Sequence, residues 1–168
     1  MGSRRNRPGF TLIEMMVAVA VLAVVLAIAL PNFLKMWMVG NEGSVVESMR
    51  SIGQACESYR MQGTQGGVGE YPFVLRGLTA ANPPYLDSRF GAVAAGGVWR
   101  GYRWAYQVGP QQSRRVGNKL FQFRDSYTLR ADPVWRGVTG QRSFFADQTG
   151  VVRFNVAGQA GSNDTPVE

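Results

Sequence analysis

The chain contains one apolar run long enough to cross a lipid bilayer, and this run holds a single carboxylate. Between Phe10 and Leu30 the only ionisable side chain is that of Glu14. A helix rises about 1.5 Å per residue, so these residues span roughly 30 Å, the thickness of a bilayer's hydrocarbon core. A carboxylate within such a segment costs about 2.5 kcal/mol or more. The run therefore predicts a transmembrane helix whose carboxylate needs a partner.

The partner of Glu14 must come from outside the apolar run, because no basic side chain lies within it. Two candidates are near in sequence: the arginines that precede Gly9, and the new α-amino group that a cut after Gly9 would create. Arg4, Arg5 and Arg7 also orient the segment, since basic residues beside a transmembrane helix tend to stay in the cytoplasm. The rest of the chain is therefore expected to cross the membrane.

Residues 9–14 read GFTLIE and follow a short basic leader. This block closely resembles the cleavage and methylation signature of type IV pilins and of the pseudopilins of type II secretion. The resemblance implies that cleavage after Gly9 removes a leader of residues 1–9, that the new N-terminal Phe10 is N-methylated, and that Glu14 pairs with a neighbouring subunit's N-terminus during assembly. An uncleaved signal anchor is the alternative. A secretory signal peptide fits worse, because the only plausible cut precedes the apolar run.

The same resemblance implies partners and a location. The partners are a prepilin peptidase and methyltransferase, an inner-membrane assembly platform, membrane lipid before assembly, and a homo-oligomeric helical filament afterwards. The subunit would span the bacterial cytoplasmic membrane once and then enter a filament in the periplasm or at the cell surface. Related filaments often have a proline where Pro31 stands, at a place where the helix can stretch or melt. Pro31 is therefore a candidate assembly residue.

The formal charge of +7 depends partly on the leader. Removing its three arginines leaves 15 basic residues against 11 acidic ones, a net charge of +4. Basic residues interleaved with aromatic ones in the middle of the chain could contact a nucleic-acid backbone. These residues are Arg100, Arg103, Arg114, Arg115, Lys119 and Arg124, with Trp99, Trp104 and Phe121. A water-exposed rim of a sheet is the simpler interpretation.

Cysteine and histidine usage narrows the chemistry. The chain has one cysteine, Cys56, and no histidine. An intrachain disulfide is therefore impossible, and Ser-His-Asp catalysis, Cys-His catalysis and the commonest zinc ligands are excluded. Many type IV pilins close their C-terminal region with a disulfide, whereas here packing, turns or a metal must hold it. No convergent set of polar residues indicates an enzyme.

The helix that begins near Phe10 is expected to continue as an amphipathic segment over residues 31–62, after the transmembrane part. Pro31, Gly40 and Gly43 should weaken its hydrogen bonding. Beyond them, apolar residues recur at spacings of three and four, which is typical of one helical face. This apolar stripe consists of Val45, Met49, Ile52, Cys56 and Tyr59. The charged residues are expected largely on the water-facing side: Glu42, Glu47, Arg50, Glu57 and Arg60.

Residues 63–156 are expected to form a globular antiparallel-sheet domain after a glycine-rich loop that starts near Gly63. Alternating aromatic and polar residues predict a half-buried strand over residues 101–108. A second strand is predicted over residues 119–131, with a bulge or turn at residues 125–126. These strands should bury their aromatic side chains against the helix.

A hairpin is predicted between residues 143–146 and 151–155. The connecting segment ends in Gly150, which is expected to adopt the left-handed conformation of a hairpin turn. Residues 157–168 are small and polar and predict a flexible tail. The predicted fold class is α+β: a long N-terminal helix, with residues 10–30 in the membrane or the filament core, packs on a small antiparallel sheet.

Calcium is the only cofactor that the sequence brings into consideration. Pseudopilins of the major secretion type carry a calcium ion in the C-terminal loop, and Asp125, Asp132 and Asp147 could supply oxygen ligands if their loops converge. No compact repeat of ligands supports such a site. Aspartate in turns also binds nearby backbone groups, which is the alternative role of all three residues.

The function that this sequence predicts is structural: a type IV pilin-like subunit, assembled through its N-terminal helix. A pseudopilin of a type II secretion system would share every N-terminal feature. A membrane-anchored minor pilin that binds nucleic acid would instead use the basic and aromatic segment. Neither an enzymatic activity nor a confident metal site is expected.

The first prediction concerns processing. The mature protein is expected to begin at Phe10 with a methylated amine, because Gly9 is the only small residue between the basic leader and the apolar run. Intact-mass measurement on protein extracted from membranes tests this expectation. Assembled material that still carries the leader would end the processing hypothesis.

Overall fold

The computed structural model describes residues 9–62 and 69–167. Their fold is α+β and pilin-like, because a long N-terminal helix is followed by a small antiparallel sheet, as the sequence predicts. The chain divides into two compact units at a boundary between Met36 and Trp37. Residues 1–8 of the predicted leader, and the predicted glycine-rich loop after Gly63, lie outside the described residues.

The first unit contains the apolar part of helix α1, which is Leu12–Gln62. Within the described part of the chain, α1 is the helix long and apolar enough to cross a membrane, and none of its apolar window is buried. The helix runs on through Pro31, Gly40 and Gly43. The residues predicted to weaken α1 therefore do not end it.

The second unit contains the remainder of α1 and the sheet. Two short helices, α2 (Arg76–Ala80) and α3 (Gly91–Ala94), and the 3-10 turn Ser88–Phe90 precede the sheet. The strands are β1 Val98–Trp99, β2 Tyr102–Val108, β3 Gln112–Val116, β4 Lys119–Phe123, β5 Tyr127–Pro133, β6 Ser143–Asp147, β7 Arg153–Asn155 and β8 Thr165–Pro166. Six strands form one antiparallel sheet in the order β1-β2-β5-β6-β7-β8, and β3 pairs with β4 separately.

Two of the predicted strand features are confirmed. β2 covers nearly all of the strand predicted over residues 101–108. β6 and β7 form the predicted antiparallel hairpin, and Gly150 in their connection has a φ of +75°. A left-handed backbone at this point costs glycine little, because it has no Cβ to clash with the carbonyl groups.

The single strand predicted over residues 119–131 is wrong. Its first half is β4, which pairs with β3 across a two-residue turn at Gly117 and Asn118, and its second half is β5 of the main sheet. Gly117 has a φ of +63°, as hairpin turns of this length require. The break predicted at residues 125–126 is therefore a change of sheet. The sequence analysis missed β3 because its residues are polar and exposed.

One face of the main sheet packs on the apolar stripe of α1. The stripe residues are buried, apart from the half-buried Tyr59 at its end, as predicted. The opposing side chains come from alternate positions of β2, β5 and β6, which is the period of a strand with one buried face. They are Tyr102, Trp104, Leu129, Ala131, Phe144 and Ala146.

The C-terminal segment differs from the predicted flexible tail. β8 pairs with β7, and Ala160 is buried. Asp164 organises the segment: its Oδ2 accepts the Gly161 N–H at 2.8 Å, and its Oδ1 accepts a bond from Asn155 Nδ2 at 3.0 Å. The polar composition that predicted disorder thus satisfies backbone and side-chain groups locally.

Glu42 joins α1 to the sheet. It was predicted to face water, yet only 5% of it is exposed. Its Oε1 accepts the backbone N–H groups of Gln141 and Arg142 at 2.7 and 3.1 Å, and its Oε2 accepts Arg142 Nε at 2.7 Å. The neighbouring Asn41 donates through Nδ2 to the Thr139 carbonyl at 3.0 Å. A buried carboxylate is tolerated here because three donors compensate its desolvation.

A fragment that starts at Lys35 is expected to be soluble, monomeric and folded, because it lacks the apolar run and keeps the second unit complete. Its stability should not depend on reductant, since Cys56 is buried and is the only cysteine. Size-exclusion chromatography and thermal unfolding with and without a thiol reductant test this. Aggregation of the purified fragment would contradict it.

Replacement of Glu42 by Ala is expected to destabilise this fragment by about 3 kcal/mol. The change leaves an arginine and two backbone N–H groups without their acceptor, and the figure is at the lower end of the range for buried pairs because Arg142 reaches water. Urea unfolding measures the effect. The control is Glu47→Ala, at an exposed position of the same helix, which should change the free energy of unfolding by less than about 0.5 kcal/mol.

Candidate assembly and processing site

The predicted assembly residue Glu14 forms a reciprocal cap at the start of α1. Thr11 precedes the first helical residue, and its backbone N–H and its Oγ1 hydroxyl donate to Glu14 Oε2 at 3.0 and 2.9 Å. In return the Glu14 N–H donates to Thr11 Oγ1 at 3.3 Å. This is a capping box, in which side chains satisfy N–H groups that have no partner inside the helix.

The sequence analysis missed this cap, although its signal is present. Thr11 and Glu14 have the Thr-x-x-Glu spacing of a capping box directly before an apolar helix. Two partners were considered for the carboxylate, an upstream arginine and a new amine. The structure adds a third, the carboxylate's own helix terminus.

The predicted cleavage position lies outside regular structure. Gly9 and Phe10 are exposed and precede α1, and no atom of the described residues lies within 4 Å of a Cβ placed on Gly9. The peptide bond between these two residues is therefore free of helical hydrogen bonds. A peptidase could reach it without unwinding the helix.

The surface of α1 from Met15 to Leu30 is apolar on all sides. Every side chain from Phe10 to Leu30 is exposed, including that of Glu14. Pro31 is exposed as well. Small residues recur along this part of the helix and allow close approach of a second helix. They are Ala18, Ala20, Ala23 and Ala27.

The three aspartates considered as calcium ligands are not brought together. Asp147 lies opposite Thr128 in the sheet, and Asp132 is four residues further along β5, about 13 Å away at the rise of a strand. Asp147 Oδ1 accepts the Thr149 N–H at 2.9 Å, which is a turn contact. Among the described residues, which include Asp125, no group of three His, Cys, Asp or Glu side chains is placed to hold a metal ion.

Cys56 and the basic segment add no second site. Burial raises the pKa of the Cys56 thiol to about 12, with a smaller contribution from Glu57, so the thiol stays protonated at neutral pH. In the basic and aromatic middle segment, Trp104 is buried in the core, so it is not available to stack on a nucleic-acid base. The exposed basic side chains on the β3–β4 ribbon are Arg114, Arg115 and Lys119.

Millimolar calcium is expected to leave the melting temperature of the fragment from Lys35 unchanged. A site filled at a hundredfold excess over its dissociation constant would add about 2.7 kcal/mol, which thermal unfolding would detect. Magnesium at the same concentration is the control for ionic strength. A calcium-specific rise that Asp125→Asn, Asp132→Asn or Asp147→Asn removes would restore the metal hypothesis.

Comparison with known protein families identifies a motif at the N-terminal end of the chain. Residues 4–30 match the family described as the prokaryotic N-terminal methylation motif. No curated protein and no solved structure matches the chain. The matched residues include the predicted cleavage position, Thr11, Glu14 and most of the apolar part of α1. The chain therefore carries the type IV pilin and pseudopilin signature at the start of a pilin-like α+β fold.

Proposed function

We propose that this chain is the structural subunit of a type IV pilus-like filament and assembles through the apolar part of α1. The observation that carries the proposal is Glu14, the one carboxylate on a helical surface that is otherwise apolar and exposed from Phe10 to Leu30. In a lone subunit this carboxylate caps its own helix through Oε2. In a filament it would also receive a cation from a neighbouring subunit.

Processing would supply that cation. Cleavage after Gly9 leaves an α-amino group on Phe10, two residues before the start of α1. N-methylation keeps the amine basic, so it remains positively charged at neutral pH. In the low dielectric of a membrane or of packed apolar helices, a charged amine and a carboxylate attract strongly, and each also relieves the other's desolvation.

The capping geometry leaves room for such a partner. Both Thr11 donors reach the Oε2 oxygen of Glu14. In the contacts found among the described residues, Oε1 accepts no hydrogen bond, so an incoming amine could bind it without breaking the cap. Glu14 would then hold its own helix terminus and a neighbour's N-terminus at the same time.

The apolar surface of α1 would serve in two environments. Before assembly it would hold the subunit in the cytoplasmic membrane, where the bilayer covers its side chains. After assembly the same side chains would pack against other copies of α1, and the alanines would let the helices approach closely. Processing by a prepilin peptidase and transfer by an inner-membrane platform would connect the two states.

Glu14→Ala is expected to spare membrane insertion and to abolish or strongly reduce filament formation. Insertion depends on the apolar run and should improve when a charge leaves it. Assembly loses the acceptor for the incoming amine. Membrane fractionation and the yield of sheared filaments measure the two effects separately, and filament length on cells separates a surface pilus from a short secretion pseudopilus.

Thr11→Val is the matched control for that experiment. It removes the hydroxyl of the cap, at a cost of about 1 kcal/mol to the helix, and keeps the carboxylate. Filaments should still form. A normal filament yield from Glu14→Ala, or an equal loss from both variants, would show that Glu14 does not act as the docking charge.

A further inference from the structure

The main sheet of the second unit has an outer face, on the side away from the apolar stripe of α1. Leu129 of β5 and Ala146 of β6 pair with each other and are buried toward the stripe, so their neighbours along each strand point the other way. Phe145 is one of these neighbours, yet it is only 4% exposed. Another part of the chain therefore covers the outer face. Side chains of this face include Arg103, Gln107, Thr128, Arg130, Phe145 and Asp147.

The C-terminal segment that Asp164 organises lies against the outer face. Arg136 Nη2 donates both to Ser143 Oγ, at 2.8 Å, and to the Gly158 carbonyl, at 3.0 Å. Gln159 Nε2 lies 3.5 Å from Asp132 Oδ2. These contacts to β5 and β6 hold the segment in place.

A cleft of about 530 Å³ remains between the C-terminal segment and strands β2, β5 and β6. All the residues that line it belong to the second unit. Its volume lies in the range of sites that bind small molecules. Five of the lining side chains are polar and uncharged, and among the described residues none of the five makes a hydrogen bond. They are Gln107, Ser126, Thr128, Gln148 and Ser162.

Arg130 lines the cleft without a hydrogen-bond partner. Its side chain is half-buried, and its guanidinium carbon lies 5.8 Å from the centroid of the Phe145 ring. Its Nε is shielded from water, and no group of the described residues accepts a bond from it. The half-buried Arg142 and Arg153 differ, because each donates to an oxygen of the chain. A partly desolvated guanidinium without an acceptor is unfavourable, so a bound acceptor would stabilise it.

The Nη groups of Arg130 are the atoms that a ligand can reach. They too make no hydrogen bond within the described residues, but, unlike Nε, they are not shielded from solvent. Two parallel N–H donors of a guanidinium match the two oxygens of a carboxylate. The cleft is thus prepared for a carboxylate at this position.

Asp147 supplies a negative charge to the same cleft. It lies opposite Thr128, two residues before Arg130, so Asp147 and Arg130 are diagonal neighbours with Cα atoms about 7–8 Å apart. Within the described residues they form no ion pair with each other. Asp147 Oδ1 accepts bonds from the Thr149 N–H and hydroxyl, which leaves Oδ2 for a further donor. A ligand that contacts both charges must offer an acceptor to one and a donor to the other.

We propose that the cleft binds a sugar acid. The ligand's carboxylate binds the Nη groups of Arg130, and its hydroxyls donate to Asp147 Oδ2 and exchange hydrogen bonds with the uncharged polar side chains. A simple carboxylate ion would use the guanidinium alone. An amino acid would use the two charges and leave most of the uncharged groups without partners.

Ligand-observed NMR on the full chain in a sugar-free detergent tests the proposal. The probes are D-glucuronate and D-galacturonate, and the comparison compounds are D-glucose, acetate and glycine. At least one sugar acid is expected to bind saturably, and about tenfold or more tightly than each comparison compound, because only a sugar acid engages both Arg130 and the uncharged groups.

Arg130→Met tests the residue itself. Methionine keeps an apolar side chain on Phe145 and removes the unpartnered guanidinium, so the melting temperature without ligand should not fall. Binding of the sugar acid should weaken about tenfold or more. In nitrogen-15 spectra, the guanidinium signal that this variant removes should be the one that the sugar acid shifts most. Arg103→Met is the matched control, at an exposed position of the same face, and should leave binding unchanged.

Three results would overturn the proposal. The first is the absence of saturable binding by both sugar acids, and the second is equally tight binding of acetate, D-glucose or glycine. The third is a lower melting temperature of Arg130→Met with unchanged binding, which would assign Arg130 to the fold alone. None of these results bears on Glu14 or on assembly, since the cleft lies within the second unit.

Discussion

The buried carboxylate of Glu42 is the interaction on which the second unit depends. It lies on α1 and receives three donors from Gln141 and Arg142, about a hundred residues away in sequence. Those residues lead directly into β6, the strand that carries Phe144 into the core. Hydrophobic burial alone would let the helix slide along the sheet, whereas a desolvated carboxylate fixes one position.

Two carboxylates on one helix thus have different roles because their surroundings differ. Glu42 is buried, and both of its carboxylate oxygens accept hydrogen bonds from Gln141 or Arg142. Glu14 is exposed on an apolar surface, and among residues 9–62 and 69–167 its carboxylate accepts hydrogen bonds from Thr11 through one of its two oxygens. A carboxylate that is half satisfied in an apolar setting favours the arrival of a further donor, which is why we relate it to assembly.

Local patterns were enough to predict most of the fold. The helical stripe that ends at Tyr59 and the hairpin at Gly150 follow from periodicity and turn chemistry, which act over a few residues. The burial of Glu42 and the folding back of the segment around Asp164 depend on partners distant in sequence or on several weak polar contacts. The capping box at Thr11 and Glu14 is predictable from the Thr-x-x-Glu spacing alone.

The central claim is that Glu14 binds a neighbouring subunit's N-terminus in the assembled filament. A filament structure at side-chain resolution measures this directly, as the distance from the Phe10 nitrogen of one subunit to the Glu14 carboxylate of the next. The account predicts a separation of at most about 4 Å, with the bond to Thr11 retained. A carboxylate that contacts only its own Thr11 and its own N-terminus would contradict it.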